Sequence, residues 1–329
     1  MRKVLVTTDR LGPENIGALS KHGEVVEGWK MEDEEIAGVL PSVDAAIVLG
    51  WPAYFTRENL SKMSRLRLIQ TVSVGVNQVR FGDLPARVTV CSNAGAYSTE
   101  VGEHAWGLLL AAAKEIPRTD AAIRGGGGNF ETYRSGAKDT IVLKGKTMGI
   151  VAYGGIGRAV AKFARAFGMN VVALSRSPRR EKGAKVYRGA KGLDIILKAS
   201  DAVLLSIPLT KVTEGMIGAR ELGLMKKDAV LVNVSRGDIV EQRALYEHLT
   251  ANPAFRYATD VWWYKDNRET LETEFPFTTL PNFIGTPHSS GPAGVGGGEP
   301  QRSAVKNTIR FLRGRRPKNV MDPSEYRGG

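Results

Sequence analysis

Short apolar runs alternate with segments of helical periodicity along most of the chain. Near the N-terminus the runs are bounded by turn residues, and segments 13–22 and 57–63 between them repeat their apolar positions with a helical period. Strands that alternate with helices at this spacing predict a parallel sheet with helices on both faces. The predicted strands of this first group are 4–7, 45–49, 66–70 and 88–91.

The same alternation resumes after a long predicted helix at 100–116, whose N-cap is Ser98 or Thr99. An amphipathic helix is predicted over 301–313, near the end of the chain. The resumed alternation of strands and helices predicts a second parallel sheet of the same kind. Its predicted strands are 147–151, 171–174, 202–206, 229–233, 257–259 and 283–286.

A glycine turn joins the strand at 147–151 to a helix, in the order Ala152-Tyr153-Gly154-Gly155-Ile156-Gly157. Strand, glycine turn and helix form the context in which a G-x-G-x-x-G motif binds a dinucleotide, although Ala152 replaces the first glycine. Gly154 is expected to let backbone amides approach a pyrophosphate at the helix N-terminus. Gly157 is expected to let the helix pack closely on the strand. The alternative is an ordinary strand-to-helix turn.

The turn after the second strand of this unit indicates which dinucleotide is bound. An acidic residue usually stands there to bind the ribose of NAD, but this chain continues Ser175-Arg176-Ser177-Pro178-Arg179-Arg180. Guanidinium and hydroxyl groups suit a 2′-phosphate. We therefore predict NADP(H) in preference to NAD(H). A solvated basic loop, with NAD(H) as the cofactor, is the alternative.

Composition is that of a globular protein: 329 residues, 42% of them hydrophobic and 24% charged, enough for two domains. Cys91 is the single cysteine, which excludes an internal disulfide and favours a reducing compartment. With four histidines there is little material for a structural metal site. We find neither a 20-residue apolar run nor a signal-peptide pattern, so we predict a cytoplasmic protein without a membrane segment.

The net charge of +12 raises the question of nucleic-acid binding. The basic residues are spread along the chain apart from clusters at 176–185 and 310–318, and the sequence has no zinc-finger spacing or aromatic RNA-binding motif. A diffuse positive field also suits small carboxylates and phosphates. We therefore predict a small anionic substrate and no nucleic-acid partner.

Four further segments carry the candidate chemistry: 206–210, 225–238, 259–262 and 280–288. Taken in order after the glycine loop, and together with 73–77 and 93–104, they closely resemble the D-isomer-specific 2-hydroxyacid dehydrogenases. That family includes glyoxylate and hydroxypyruvate reductases, phosphoglycerate dehydrogenases, formate dehydrogenases and phosphite dehydrogenases. The resemblance covers nearly the whole chain.

The resemblance implies an α/β fold of two flavodoxin- or Rossmann-like doubly wound parallel-sheet domains with a cleft between them. Residues 1–98 and 291–329 would form a discontinuous substrate domain. Residues 99–290 would form the dinucleotide-binding domain. Family members are usually homodimers joined through the cofactor domain, so we expect a homodimer here.

The resemblance also assigns roles to residues. Arg236 would hold the substrate carboxylate by a bidentate contact, with the backbone amides of Val74 and Gly75 binding the same group. His288 would be the general acid in reduction of a 2-oxo acid and the base in the reverse direction. Asp260 would contact the nicotinamide carboxamide. The expected cofactor-binding residues are Tyr153, Gly154, Gly155, Ile156, Gly157, Ser175, Arg176, Ser177, Pro208, Thr213, Val234 and Asp260.

One position departs from the family pattern. Five residues after Asp260 the family places a glutamate that bonds the histidine, whereas this chain has Lys265, followed by a longer segment containing Glu269, Glu272 and Glu274. Either one of these carboxylates returns to His288, or the histidine has no acidic partner. We hypothesise that Lys265 faces solvent and that a later glutamate substitutes. Loss of reductase activity already above about pH 6 would contradict this hypothesis.

The sequence thus predicts an NADP(H)-preferring reductase of small 2-oxo acids, with glyoxylate or hydroxypyruvate as the best substrate. An NAD(H) enzyme for a larger or phosphorylated 2-hydroxy acid is an alternative, as is a non-catalytic dinucleotide sensor of the same fold. The aromatic segment 51–55 follows a strand that points to the cleft. Its Trp51, Tyr54 and Phe55 are expected either to line the substrate pocket or to pack beneath a loop.

Overall fold

The computed structural model describes residues 1–136, 140–176, 181–266, 268–291 and 298–326, without the side chains of residues 133, 135 and 136. The chain divides into two compact units. One consists of Met1–Tyr97 and Ala293–Gly329, and the other of Ser98–Pro292.

The first unit contains a five-stranded sheet in which every pairing is parallel. Apolar clusters cover both faces, because the central strands carry buried side chains on both sides. The strand order is β2-β1-β3-β4-β5. The strands are β1 (Lys3–Val6), β2 (Glu24–Glu27), β3 (Ala45–Val48), β4 (Leu68–Thr71) and β5 (Thr89–Cys91), and the helices are α1 (Pro13–Ser20), α2 (Asp33–Val39), α3 (Arg57–Lys62) and, near the C-terminus, α11 (Glu299–Leu312).

The second unit contains a seven-stranded parallel sheet in the order β14-β11-β10-β9-β6-β7-β8. Its strands are β6 (Thr147–Val151), β7 (Asn170–Leu174), β8 (Lys185–Tyr187), β9 (Ala202–Leu205), β10 (Val230–Asn233), β11 (Arg256–Thr259) and β14 (Phe283–Gly285). Its helices are α4 (Ser98–Lys114), α5 (Ile116–Gly125), α6 (Phe130–Gly136), α7 (Gly155–Ala166), α8 (Gly189–Ala199), α9 (Ala219–Leu224) and α10 (Gln242–Ala251).

A separate antiparallel hairpin belongs to the second unit. Its strands are β12 (Tyr264–Lys265) and β13 (Arg268–Glu269), and they lie outside the parallel sheet. Asp266, between them, has a φ of 52°, which is typical of a tight two-residue hairpin turn.

The predicted α/β fold with two doubly wound parallel sheets is confirmed. The predicted helix 100–116 is wrong at both ends, since α4 begins at Ser98 and ends at Lys114. Glu115 adopts a left-handed φ of 54°, and α5 then begins at Ile116 with a proline in its first turn. The edge strands β2 and β8, the hairpin, and helices α2, α5, α6, α8, α9 and α10 were not predicted. Among the described residues, no helix is long and apolar enough to span a bilayer.

Candidate active site

The candidate residues of the second unit follow the carboxyl ends of six strands. Because these strands run parallel, the segments after them lie along one edge of the sheet, where open α/β sheets bind ligands. The strand order places the glycine loop after β6 between the turns that follow β9 and β7. The segments are 152–157 after β6, 175–176 after β7, 206–208 after β9, 234–236 after β10, residue 260 after β11 and 286–288 after β14.

The glycine loop has the geometry that a bound pyrophosphate needs. A Cβ on Gly157 would lie 2.6 Å from the Ala152 carbonyl oxygen and 2.8 Å from Ile150 Cγ2, so only glycine lets α7 approach β6 this closely. A Cβ on Gly154 would meet no atom within 4 Å, so open space lies in front of the loop. The N-cap residue of α7 is Gly154, which has no side chain to cap the first amides of the helix, so these amides are available to an anion.

Ala152 occupies a conformation that normally belongs to glycine. Its φ is 77°, and its carbonyl oxygen accepts a hydrogen bond of 3.0 Å from Ser206 Oγ. A residue with a Cβ is strained in this region by about 1 kcal/mol. The position therefore retains the backbone geometry of the usual first glycine of the motif while carrying a methyl group.

Other expected cofactor residues lie on the same edge. Tyr153 is buried, and its amide donates to the Leu174 carbonyl at 2.8 Å. Thr213 Oγ1 donates to the Pro208 carbonyl at 2.7 Å, so this hydroxyl stabilises the turn after β9. Val234 is buried.

The adenosine end of the expected cofactor site is only partly described. Ser175 follows β7 and its amide donates to Tyr187 at 3.0 Å, and Arg176 beside it is exposed. Ser177, like residues 178–180, lies outside the described residues.

Asp260 is fully buried, and its carboxylate organises the segment that carries His288. Oδ1 accepts from Thr286 Oγ1 at 2.6 Å and from the Ser289 amide at 2.8 Å, while Oδ2 accepts from the Ser290 amide at 2.9 Å. Burial would raise the pKa of Asp260, but the hydrogen bonds from Ser290, Thr286 and Ser289 outweigh it and lower that pKa. Asp260 is therefore a charged anchor for residues 286–290.

His288 has an acidic partner. Its Nδ1 lies 2.5 Å from Glu269 Oε2, and Glu269 Oε1 accepts the Trp262 amide at 2.7 Å. The glutamate is thus held from both sides, and 41% of the His288 side chain is exposed. In this arrangement one ring nitrogen of the histidine contacts a carboxylate, and the other nitrogen is left to exchange a proton with a substrate.

The hairpin of β12 and β13 brings Glu269 to this place. Tyr264 pairs with Glu269 and Lys265 with Arg268, so the chain reverses within two residues. Lys265 Nζ instead bonds Glu272 Oε2 at 3.0 Å, with both side chains mostly exposed. The hypothesis that Lys265 faces solvent while a later glutamate lies beside His288 is confirmed, and the glutamate is Glu269.

Arg236 keeps an unused donor. Its Nη1 donates to the Ser235 carbonyl at 2.6 Å, whereas its buried Nε has no hydrogen-bond partner within the described ranges. A buried donor without a partner is costly unless a ligand satisfies it. The Arg236 guanidinium thus has a donor available for a bound anion.

The two residues predicted in the first unit lie in the turn after β4. Ser73 Oγ donates to the Gly75 carbonyl at 2.8 Å and shapes this turn, and Val74 is partly exposed. The contact of their amides with a carboxylate stays a prediction. Of the aromatic segment, Phe55 is fully buried with edge-on contacts to Trp51 and Tyr54, so packing accounts for much of it.

Two residues near the site were not predicted. The hairpin places Tyr264 beside Arg236, and His104 on α4 contacts Thr286 Oγ1 through Nε2 at 2.9 Å. The sequence signal for Tyr264 is the polar pair Asp266-Asn267 between two short segments, which is typical of a two-residue hairpin. His104 has no comparable local signal.

Comparison with known proteins identifies the family. The profile described as "D-isomer specific 2-hydroxyacid dehydrogenase, NAD binding domain" matches residues 106–290. A glyoxylate reductase of Thermococcus gammatolerans is 34% identical, with 97% of this chain and 96% of that protein covered. The chain therefore belongs to the D-isomer-specific 2-hydroxyacid dehydrogenase family.

Other relatives differ in length or in described substrate. A D-3-phosphoglycerate dehydrogenase of Methanocaldococcus jannaschii is 32% identical over 98% of this chain. The chain spans only 60% of that protein and 53% of a second phosphoglycerate dehydrogenase. Among solved structures, an acyclic imino acid reductase in complex with NADPH and D-Arg has a TM-score of 0.79 and 27% identity, with 97% of this chain and 100% of that one covered.

Proposed function

We propose that the protein is an NADP(H)-preferring reductase of small 2-oxo acids, with glyoxylate or hydroxypyruvate as substrate. The observation that carries this proposal is the contact between His288 and Glu269. It gives the histidine an acidic partner, although the family's glutamate position is occupied by Lys265. The full-length similarity to glyoxylate reductases supports the substrate class.

The site residues divide the work as follows. Arg236 binds the substrate carboxylate through its free Nε donor and holds the adjacent carbonyl in place. His288 donates a proton to the carbonyl oxygen as the alcohol forms, and Glu269 orients its ring and stabilises the charged imidazolium. The nicotinamide supplies the hydride when the dinucleotide is bound. The family resemblance also assigns carboxylate binding to the backbone amides of Val74 and Gly75, which stays a prediction.

The cofactor preference rests on the turn after β7. Its sequence has no carboxylate for a free ribose, and Ser175 and Arg176 provide a hydroxyl and a guanidinium for a 2′-phosphate, with Ser177 next in the sequence. A related structure with NADPH bound supports this choice. Tyr153 to Gly157, Pro208, Thr213 and Val234 would line the rest of the dinucleotide, with Asp260 near the carboxamide.

We also propose a cytoplasmic homodimer joined through the second unit. The family resemblance is the basis of this proposal. Ile116, Ile123, Phe130 and Val142 are each more than half exposed on this unit and are candidates for the interface. Sedimentation of wild type and of Phe130→Asp tests it. A wild type that sediments as a monomer at micromolar concentration would overturn the dimer.

Initial rates with glyoxylate and hydroxypyruvate, each with NADPH and NADH, test the activity. We expect turnover that favours NADPH and that falls by at least a hundredfold in His288→Ala. Ser175→Glu should shift the preference toward NADH if the turn after β7 reads the ribose. Tight dinucleotide binding without turnover on either acid would instead favour a sensor.

A phosphorylated substrate is the second candidate, because phosphoglycerate dehydrogenases are similar over nearly the whole of this chain. The same assay with 3-phosphohydroxypyruvate distinguishes the two. A kcat/KM higher for the phosphorylated acid than for both small acids would favour this second candidate.

A further inference from the structure

The hairpin of β12 and β13 touches both proposed catalytic residues. Tyr264 and Glu269 are directly opposite each other on the two strands, so their side chains share one face. Glu269 contacts His288 from this face. Tyr264 lies close enough to Arg236 for the guanidinium to lower the pKa of the phenol.

The chemistry of arginine limits how the two side chains can interact. Arginine carries only donors, so toward Arg236 the phenol can act only as an acceptor, and its own hydrogen is available for a different acceptor. Burial raises the pKa of the Tyr264 phenol, and the Arg236 charge offsets only part of the rise. The phenol therefore keeps its hydrogen at neutral pH.

Two donors are thus available in this part of the site. One is the buried Nε of Arg236, which has no partner in the part of the chain that is described, and the other is the Tyr264 hydroxyl. Tyr264 remains 39% exposed, so a small molecule reaches it. A pair of donors next to a positive charge suits a carboxylate, which accepts hydrogen bonds on both oxygens.

We propose that Tyr264 is a substrate-binding residue whose hydroxyl donates to the carboxylate that Arg236 holds. The inserted hairpin then provides two functions at once: Glu269 positions His288, and Tyr264 completes the anion site. This inference rests on the proposed function and names a further residue of the same site.

The test compares Tyr264→Phe with wild type, and Tyr246→Phe serves as the matched control because Tyr246 stacks on Phe275 in the same unit, outside the site. Two readouts are used. One is the dissociation constant of oxamate, an unreactive analogue of a small 2-oxo acid, measured by calorimetry in the presence of NADP(H). The other is KM and kcat for glyoxylate.

We expect Tyr264→Phe to weaken oxamate binding and to raise the KM for glyoxylate roughly tenfold, the usual effect of one lost hydrogen bond to a charged group. Dinucleotide affinity should stay within twofold of wild type, and Tyr246→Phe should change neither value. Oxamate binding by Tyr264→Phe within twofold of wild type would overturn the inference.

The oxamate measurement separates this inference from the proposed function. Wild-type protein that binds oxamate but does not turn over glyoxylate would refute the reductase proposal, and the loss in Tyr264→Phe would still support the role of the tyrosine. Wild-type protein that binds no oxamate would refute the carboxylate site, and the inference with it.

Discussion

Replacing Glu269 by glutamine tests the acid–base pair most directly. The amide has the size of the carboxylate, and its oxygen can still accept from the Trp262 amide. Its NH2 group then faces His288, so the change removes both the negative charge and the hydrogen-bond acceptor beside that ring. A hydrogen bond to a charged group contributes about 1.5–3 kcal/mol, which corresponds to roughly 10- to 150-fold in rate. Because 41% of the His288 side chain is exposed, solvent screening favours the lower part, roughly 10- to 30-fold.

The assay is kcat for glyoxylate with NADPH, together with the KM for NADPH. Glu269→Gln should lower kcat and leave that KM unchanged, since the glutamate is predicted to act through His288 alone. Glu272→Gln is the matched control, because Glu272 lies in the same inserted segment but bonds Lys265 at the surface. A kcat of Glu269→Gln within twofold of wild type, or an equal loss in Glu272→Gln, would refute the reasoning.

Three further predictions concern the glycine loop and the half-buried His248. Ala152→Gly should raise the free energy of unfolding by about 0.5–1 kcal/mol, because glycine relieves the strain of the positive φ. Ala159→Gly, in helix α7, is the control and should lower that free energy by about the same amount. A change of the same sign for both variants in chemical denaturation would contradict this prediction. Gly157→Ala should lower the free energy of unfolding by about 1–3 kcal/mol, because the added methyl group has no room. Gly154→Ala should fold normally but bind NADPH at least tenfold more weakly in fluorescence titration. Normal NADPH binding by Gly154→Ala would argue against a pyrophosphate at this loop. Burial lowers the pKa of His248 in the folded protein, so the stability it contributes is complete above about pH 6.5 and declines as pH falls toward that lowered pKa. His248→Gln should flatten the decrease in unfolding free energy between pH 7 and pH 5, and an unchanged slope would remove His248 as its cause.

The sequence predicts the buried strands well because they are short apolar runs whose side chains are buried on both faces. It misses β2 and β8 for the opposite reason. Both are edge strands with half-exposed side chains, so their hydrophobic pattern is weak. The helix break at Glu115 was missed because a left-handed residue between two helical segments leaves the periodicity nearly intact.

Site residues could be predicted where a local motif determines their position, and could not where the position depends on contacts between separate segments. Gly154 and Gly157 belong to a motif whose spacing fixes their positions relative to the strand and the helix. For the acidic partner of His288, the sequence offered three glutamates and could not choose among them, because the choice depends on the turn between β12 and β13. Tyr264 was missed since its importance arises from pairing with Glu269, a relation between two strands that neither segment shows alone.

The two-residue turn of the hairpin makes the site sensitive to residue count. Side chains alternate faces along a strand. If the turn stays at two residues, one residue inserted between Lys265 and Arg268 therefore shifts the pairing by one and reverses the face that β13 presents relative to β12. Glu269 would then turn away from His288, and Arg268 would lie opposite Tyr264. A change in length preserves the Tyr264–Glu269 pair only if the turn itself takes up the extra residue, so the length of this short loop matters as much as the identity of its residues.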